Sequence, residues 1–292
     1  MNRWRRVLCH PLARIAVGVI VFAAPLVVVA AIASSRDLEP LPIVAAALSA
    51  SCAIAALYVV GVIIERRGAD ELVLPAGRSL VIDGTRGFAL GAALFTAVIL
   101  CLALAGFAHI TAPPRPPIVA VALGFVTFLF VGIAEEIALR ALLFRILEEW
   151  LGAWAALVLS ALLFGALHLG NPHATLVAGV AIALEAGLLL AALYALTRSL
   201  VFVVSVHWAW NFFEGPIFGT AVSGHGEPSV LTTVTSGSAT FTGGEFGPEA
   251  SVVAVLLCGA VTIAALVLAV RHGKLRRRGS RWSRVDVTPI GK

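Results

Sequence analysis

The sequence predicts an all-α membrane protein, a polytopic bundle of about eight transmembrane helices. Hydrophobic residues make up 60% of the chain and charged residues only 13%, against about 25% charged in a typical soluble domain. The mean hydropathy is +1.00, and the apolar residues fall in long runs with most charges at their ends. This composition excludes a soluble globular enzyme, a disordered tail and a fibrous protein. The 292 residues leave little for a separate soluble domain, so we treat 1–292 as one multi-pass membrane domain.

A membrane-spanning helix needs about 20 apolar residues, and the apolar runs have about that length. The eight runs cover about 15–33, 43–64, 88–110, 118–144, 153–168, 174–196, 200–218 and 252–270. The first run follows several arginines and ends in Ala31-Ile32-Ala33, which resembles a cleavage site. A removed signal peptide is therefore an open alternative to a first helix.

The basic residues alternate between the ends of these runs, which predicts that both termini lie in the cytoplasm. The basic tail, residues 271–292, is expected to contact anionic lipid in the cytoplasm rather than nucleic acid. Residues 219–250 contain no lysine or arginine and are rich in Gly, Ser and Thr, so they are expected to form an external loop.

Two connections can be assigned from their residues. The proline-rich stretch 109–117 cannot be helical. A turn near Leu151-Gly152 joins the fourth and fifth runs as a hairpin, and its charged residues Arg145, Glu148 and Glu149 are expected to protrude into the cytoplasm. The four cysteines are far apart without C-x-x-C spacing, so we expect small buried side chains rather than a zinc site or disulfides.

Ionisable groups inside an apolar run are costly and are therefore functional candidates. In the fourth run Glu136 and Arg140 are four residues apart, on one helix face and in the favourable order for an ion pair. The adjacent Glu135 lies about 100° around the helix and has no cation of its own, which suits a general base. The alternative is a structural ion pair at a helix end, with Glu135 simply reaching water.

Two other runs carry candidate polar groups. His168 ends the fifth run, where a capped or interfacial histidine is the alternative to a functional one. His207 and Asn211 share a face of the seventh run, where they can polarise a carbonyl group or merely bond neighbouring helices. Glu185, in the sixth run, has three open roles: pairing with a histidine, pairing with Arg198, or lining a cavity.

The predicted hairpin links two of these places. Glu135 precedes the turn by about as many residues as His168 follows it, so antiparallel helices set them at similar depth. His207 lies nine residues beyond Arg198, about 14 Å from the cytoplasmic face. We therefore expect Glu135, His168, His207 and Asn211 to converge on one cavity within the bilayer.

These residues resemble the motifs of the CPBP or Abi family, which contains CAAX prenyl endopeptidases and bacteriocin-processing proteases. The motifs are E-E-x-x-x-R, F-x-x-x-H and H-x-x-x-N, matched here by Glu135, Glu136 and Arg140, by Phe164 and His168, and by His207 and Asn211. Each motif is short, but their ordered occurrence on three apolar segments is specific. The resemblance covers about 125–211, and the segments 215–219 and 242–249 also resemble bacterial members.

The resemblance implies an intramembrane endopeptidase with its core region at 118–218. In the family, the first glutamate and the second-motif histidine activate a water, which carries over to Glu135 and His168. The third-motif residues form the oxyanion hole, here His207 and Asn211. Glu136 and Arg140 then orient the site, and the scheme requires no cofactor. A divalent metal is the alternative, although the zinc motif H-E-x-x-H is absent.

Two other functions remain open from the sequence. One is a non-catalytic membrane immunity or peptide-binding factor on the same fold. The other is a proton- or metal-coupled transporter, which the absence of obvious repeats disfavours. For the protease, the expected partners are the lipid bilayer and a peptide or protein substrate, either a prenylated CAAX-type segment or a leader peptide. The expected location is the cell membrane.

Overall fold

The computed structural model describes residues 3–38, 41–68, 78–113 and 115–279. The end of the predicted basic tail, residues 280–292, lies outside the described part. Within it, the all-α prediction is confirmed, with one short pair of strands. The helices are α1 (Arg3–Leu8), α2 (Pro11–Ser35), α3 (Pro42–Leu57), α4 (Arg78–Leu104), α5 (Ile118–Glu136), α6 (Arg145–Leu151), α7 (Ala153–Leu167), α8 (Leu176–Ile182), α9 (Leu189–Thr197), α10 (Leu200–Phe212), α11 (Ala239–Thr242) and α12 (Val252–Arg271).

Several of these helices continue through segments with a different helical pitch. The π-helical segments are Tyr58–Ile64 after α3, Ile137–Phe144 between α5 and α6, Ala183–Leu188 between α8 and α9, and Phe213–Ile217 after α10. Short 3-10 turns cover His168–Gly170 and Pro248–Ala250. π-helical turns are frequent at functional sites. One of these segments directly follows the candidate residue Glu136, and another begins two residues after Asn211, which supports a functional site there.

Seven helices of the described chain are long and apolar enough to cross a membrane. They cover Pro11–Ser35, Pro42–Ile64, Ser79–Leu104, Ile118–Leu151, Ala153–Gly170, Leu176–Thr197 and Val252–Arg271. The remaining predicted run forms α10 and its π-helical extension. Large apolar side chains point outward, such as Leu104 at 89% and Leu176 at 78% exposure, as expected of lipid-facing helices. The chain is therefore a multi-pass membrane protein.

Helix α10 packs between α4 and α5, and small residues allow this close contact. A Cβ atom added at Gly87 would lie 2.3 Å from the carbonyl oxygen of Phe202, and one at Gly91 would lie 2.2 Å from that of Val206. Small residues at such positions let helix backbones approach within a membrane. They place α10, which carries two candidate residues, in the interior.

The predicted hairpin turn is confirmed, because α6 ends at Leu151 and α7 begins at Ala153. The expectation that its charged residues protrude is wrong. Arg145 is 1% exposed and Glu148 is 0% exposed. They are buried because each has an ion-pair partner from another segment. Arg198 donates to both oxygens of Glu148 at 2.7 and 2.8 Å, so it does not pair with Glu185.

The described residues of the proline-rich connection are not helical, as predicted, but the first of them form a strand. Strand β1 (Ala108–Thr111) pairs antiparallel with β2 (Thr232–Thr235), which fastens the segment 219–250 to the end of α4. The four cysteines are free. Cys52 and Cys258 are buried as expected, whereas Cys101 is exposed on the apolar surface of α4.

Candidate active site

The first motif lies where α5 changes into a π-helical segment, so Glu135 and Glu136 end one regular helix. Glu136 is fully buried and accepts from Arg140 at 3.1 Å, which confirms the predicted ion pair. Arg140 also donates to the carbonyl oxygens of Ala186 and Gly187 at 3.4 and 3.2 Å. These bonds fix the guanidinium group against the π-helical segment 183–188.

His207 joins both glutamates. Its Nδ1 lies 2.9 Å from Oε1 of Glu136, and its Nε2 lies 4.0 Å from Oε2 of Glu135. The ion-paired carboxylate of Glu136 can only accept, so Nδ1 of His207 carries a proton. The Nε2 atom is then aimed at the space next to Glu135, whose side chain is 34% exposed.

His168 begins the 3-10 turn after α7 and is fixed by Phe164. Its Nδ1 lies 2.7 Å from the carbonyl oxygen of Phe164, so Nδ1 donates and Nε2 is left for other partners. The imidazole stacks on the Phe164 ring with centroids 4.6 Å apart. The same ring has Arg140 4.9 Å from its centroid and His207 6.1 Å away. The Phe164 ring therefore contacts residues of all three motifs and helps to fix their relative positions.

The four predicted catalytic residues line one cavity of about 450 Å³. Glu135, His168, His207 and Asn211 come from three separate helical segments, as the sequence predicts. Asn211 is 7% exposed and lies one helical turn beyond His207 on α10. The cavity thus brings together a carboxylate, two imidazoles and an amide, which are groups that can activate a water and bind an oxyanion.

Other cavity walls come from parts that the sequence did not connect with the motifs. Residues 42–49 of α3 form one wall. Glu185 lines the interior, which is one of the three roles that the sequence left open for it. The segment expected to be a plain external loop forms another wall, contributing Ser223, Glu227 and Glu249. Burial raises the pKa of Glu227, and the neighbouring His225 lowers it in part. The resemblance of residues 242–249 to bacterial members was the only sequence signal for this wall.

The alternative of a divalent metal finds no group of ligands in the described part of the chain. Within those residues, no three His, Cys, Asp or Glu side chains are grouped as the ligands of a metal would be. The mechanism proposed below therefore uses side chains alone.

Comparison with known proteins finds a similarity that covers this part of the chain. Residues 117–213 match the family model described as type II CAAX prenyl endopeptidase Rce1-like. The match includes the residues of all three motifs and confirms the resemblance to the CPBP family over this segment, which is less than half of the chain. No curated protein and no solved structure matches the chain. This segment is therefore similar to type II CAAX prenyl endopeptidases, which supports an intramembrane endopeptidase.

Proposed function

We propose that this protein hydrolyses a peptide bond within the membrane, using a water activated by Glu135 and His168. The observation that carries the proposal is the convergence of Glu135, His168, His207 and Asn211 on one cavity. We further propose that the substrate is a peptide or protein segment entering this cavity, either a prenylated C-terminal segment of the type named for the matching family or a leader peptide.

The reaction begins with a water held between the Glu135 carboxylate and Nε2 of His168. Glu135 takes a proton from the water as the oxygen attacks the peptide carbonyl carbon. The carbonyl π bond opens, and the electron pair moves to the carbonyl oxygen. The resulting tetrahedral intermediate is an oxyanion, and its negative charge needs hydrogen-bond donors in a cavity with little water.

Asn211 and His207 supply these donors. With both ring nitrogens protonated, His207 donates Nδ1–H to Glu136 and has Nε2–H available for the oxyanion. Glu136 stabilises that protonated ring, and Arg140 holds Glu136 in place. The carbon–nitrogen bond then breaks as the proton held by Glu135 passes to the leaving amine. Glu136 and Arg140 thus act as positioning residues in this proposal.

The test is cleavage of a quenched-fluorescent peptide library by the purified protein in proteoliposomes, with and without chelator. We expect Glu135→Gln to lower the cleavage rate at least about a thousand-fold, since the water loses its base. Glu245→Gln is the matched control. The Glu245 side chain is 83% exposed, so we expect this substitution to leave the rate unchanged. Substantial cleavage by a correctly folded Glu135→Gln protein would refute the proposed role of Glu135.

A further inference from the structure

The cavity is lined by more carboxyl groups than the proposed reaction uses. Besides Glu135, its walls carry the side chains of Glu185, Glu227 and Glu249. None of the described residues that line the cavity is a lysine or an arginine. Clefts lined by charges of one sign attract ligands of the opposite sign. The composition of the walls therefore favours a substrate that carries a positive charge.

These carboxyl groups differ in their surroundings. The side chain of Glu135, the proposed base, is 34% exposed, and Glu227 is half-buried. Oε1 of Glu249 accepts from the backbone N–H and from the hydroxyl of Ser223, each at 2.7 Å, which holds a turn beside the cavity. Glu185 is only 1% exposed, and its Oε1 has no hydrogen-bond donor among the described residues. A buried carboxyl oxygen without a donor is costly, so Glu185 is the wall residue that needs a partner.

Glu185 lies on a π-helical segment, Ala183–Leu188, whose position the first motif fixes. Arg140, the partner of Glu136, also donates to two carbonyl oxygens of this segment, at 3.4 and 3.2 Å. One guanidinium group thus joins the segment to the helix that carries the proposed base. π-helical turns are frequent at functional sites. The carboxyl group of Glu185 therefore has a defined place relative to the glutamates of the first motif.

A glycine presses the same segment against α7, which ends next to His168. A Cβ atom added at Gly187 would lie 2.9 Å from the Cα atom of Ala161, so a side chain there would force the two helices apart. Small residues at such contacts let helix backbones approach closely within a membrane. The unpaired carboxyl group is therefore held in place relative to the second motif as well.

Apolar side chains flank Glu185 inside the cavity. Ile182 precedes it by three residues and Leu189 follows it by four, and both line the same space. Val206 and Trp210 of α10 line it as well. Lysine and arginine side chains bury an apolar stem and bind carboxylates through their charged end. An apolar strip that surrounds one buried carboxyl group matches both parts of such a side chain.

We propose that Glu185 binds a lysine or arginine side chain of the substrate. A sphere of 450 Å³ is about 10 Å across and an extended residue spans about 3.3–3.6 Å, so the basic residue lies within about three residues of the cleaved bond. The substrate class is thus a peptide or protein segment with a basic residue close to its cleavage site. This inference rests on the proposed function, but one of its tests measures binding alone.

The first test measures which side chain the enzyme selects. Proteoliposomes are given acetylated, amidated peptides of leucine and alanine that carry a single lysine, or norleucine in its place, at every position in turn. Norleucine has the apolar stem of lysine without the charge. We expect kcat/KM to be at least about ten-fold higher with lysine at one position, and we expect this ratio to fall to about one in Glu185→Gln. Partial misfolding of a variant lowers both rates equally and leaves the ratio unchanged.

Two further variants separate Glu185 from the other carboxyl groups. Glu245→Gln changes an exposed side chain and should keep the ratio of wild type. Glu227→Gln changes another wall of the same cavity and should keep most of it. A ratio near one in wild type, or a ratio that survives in Glu185→Gln, would overturn the proposal. Loss of the ratio in Glu227→Gln alone would place the cation at the segment 219–250 and would overturn the assignment to Glu185.

The second test measures binding and requires no turnover. Calorimetric titration compares the lysine and norleucine peptides on Glu135→Gln protein in nanodiscs of zwitterionic lipid, to which a lysine side chain has little affinity. We expect a lysine peptide to bind at least about ten-fold more tightly, and we expect equal affinities once Glu185→Gln is added. The absence of tighter binding by any lysine peptide would overturn the inference.

The two tests together distinguish this inference from the proposed function. Cleavage of the library without a preference for lysine would overturn the role of Glu185 and leave the endopeptidase in place. Tighter binding of a lysine peptide by a protein that cleaves no peptide, when the added Glu185→Gln abolishes that difference, would support the subsite and contradict the proposed function.

Discussion

The protein buries ionisable groups in two places, and only in one of them are the carboxylates paired with arginines. The first joins α2, α6 and the residues that follow the π-helical segment Tyr58–Ile64. We name it the arginine network. Its ion pairs are Arg14–Glu65 at 2.9 Å, Arg14–Glu149 at 3.0 Å, Arg67–Glu65 at 2.7 Å, Arg67–Glu149 at 2.5 Å and Arg145–Glu65 at 2.7 Å. The second is the carboxyl cluster, the buried Glu185, Glu214 and Glu249, none of which has an ion-pair partner among the described residues. Arginine–carboxylate pairs fix helices relative to each other, whereas buried carboxyl groups without a cation favour their protonated form.

The largest effect should come from removing the most buried cation of the arginine network. Arg145→Met removes a cation that is 1% exposed and leaves Glu65 and Glu149 with fewer partners. Removing one partner of a buried pair typically costs about 3–5 kcal/mol of unfolding free energy. Denaturant unfolding in detergent measures this change, and Arg271→Met, at an exposed arginine of α12, is the control. A loss equal to that of the control would mean that the network does not stabilise the fold.

The two regions should also respond to pH in opposite directions. Burial raises the pKa of Glu65, but Arg145, Arg67 and Arg14 outweigh it and bring that pKa below its ordinary value of 4.5. Its contribution to stability is present above pH 4.5 and is lost as the pH falls through the folded-state pKa. The pKa of Glu249 is raised above 4.5, so its contribution is present below pH 4.5 and is lost as the pH rises through the folded-state pKa.

Unfolding free energies measured from acid to neutral pH separate these contributions. Glu65→Gln should flatten the loss of stability on the acid side, and Glu249→Gln should flatten the decline as the pH rises above 4.5. Both variants are compared with wild type at each pH, so that a uniform change in stability is subtracted. The same pH dependence in both variants would remove the distinction between the two regions.

Local spacing predicted much of the candidate site. Glu136 and Arg140 form the expected pair because residues four apart share a helix face, and His207 and Asn211 line one cavity for the same reason. The apolar runs predicted the helices because a membrane span requires about 20 apolar residues. These features depend on short-range periodicity, which can be read from a single sequence.

The remaining features depend on contacts between distant residues. Arg14 pairs with Glu149, 135 residues away, and no periodicity connects them. The sequence left a pairing between Glu185 and Arg198 open. In the structure Arg198 pairs with Glu148 instead, because the end of α9 lies beside α6. Glu249 follows a glycine-rich segment without helical or strand periodicity, so no periodicity predicts that it lines the cavity together with His168.

The smallest effect should come from the turn that Glu249 holds beside the cavity. Ser223→Ala removes the hydroxyl that donates to Glu249 and keeps the backbone N–H bond. A typical hydrogen bond of this kind contributes about 0.5–1.5 kcal/mol to the unfolding free energy. Because the backbone bond still holds the turn, we expect a loss of stability in this range and a cleavage rate close to that of wild type, measured with the peptide used for Glu135→Gln. A loss of activity as large as that of Glu135→Gln would mean that the hydroxyl takes part in the reaction.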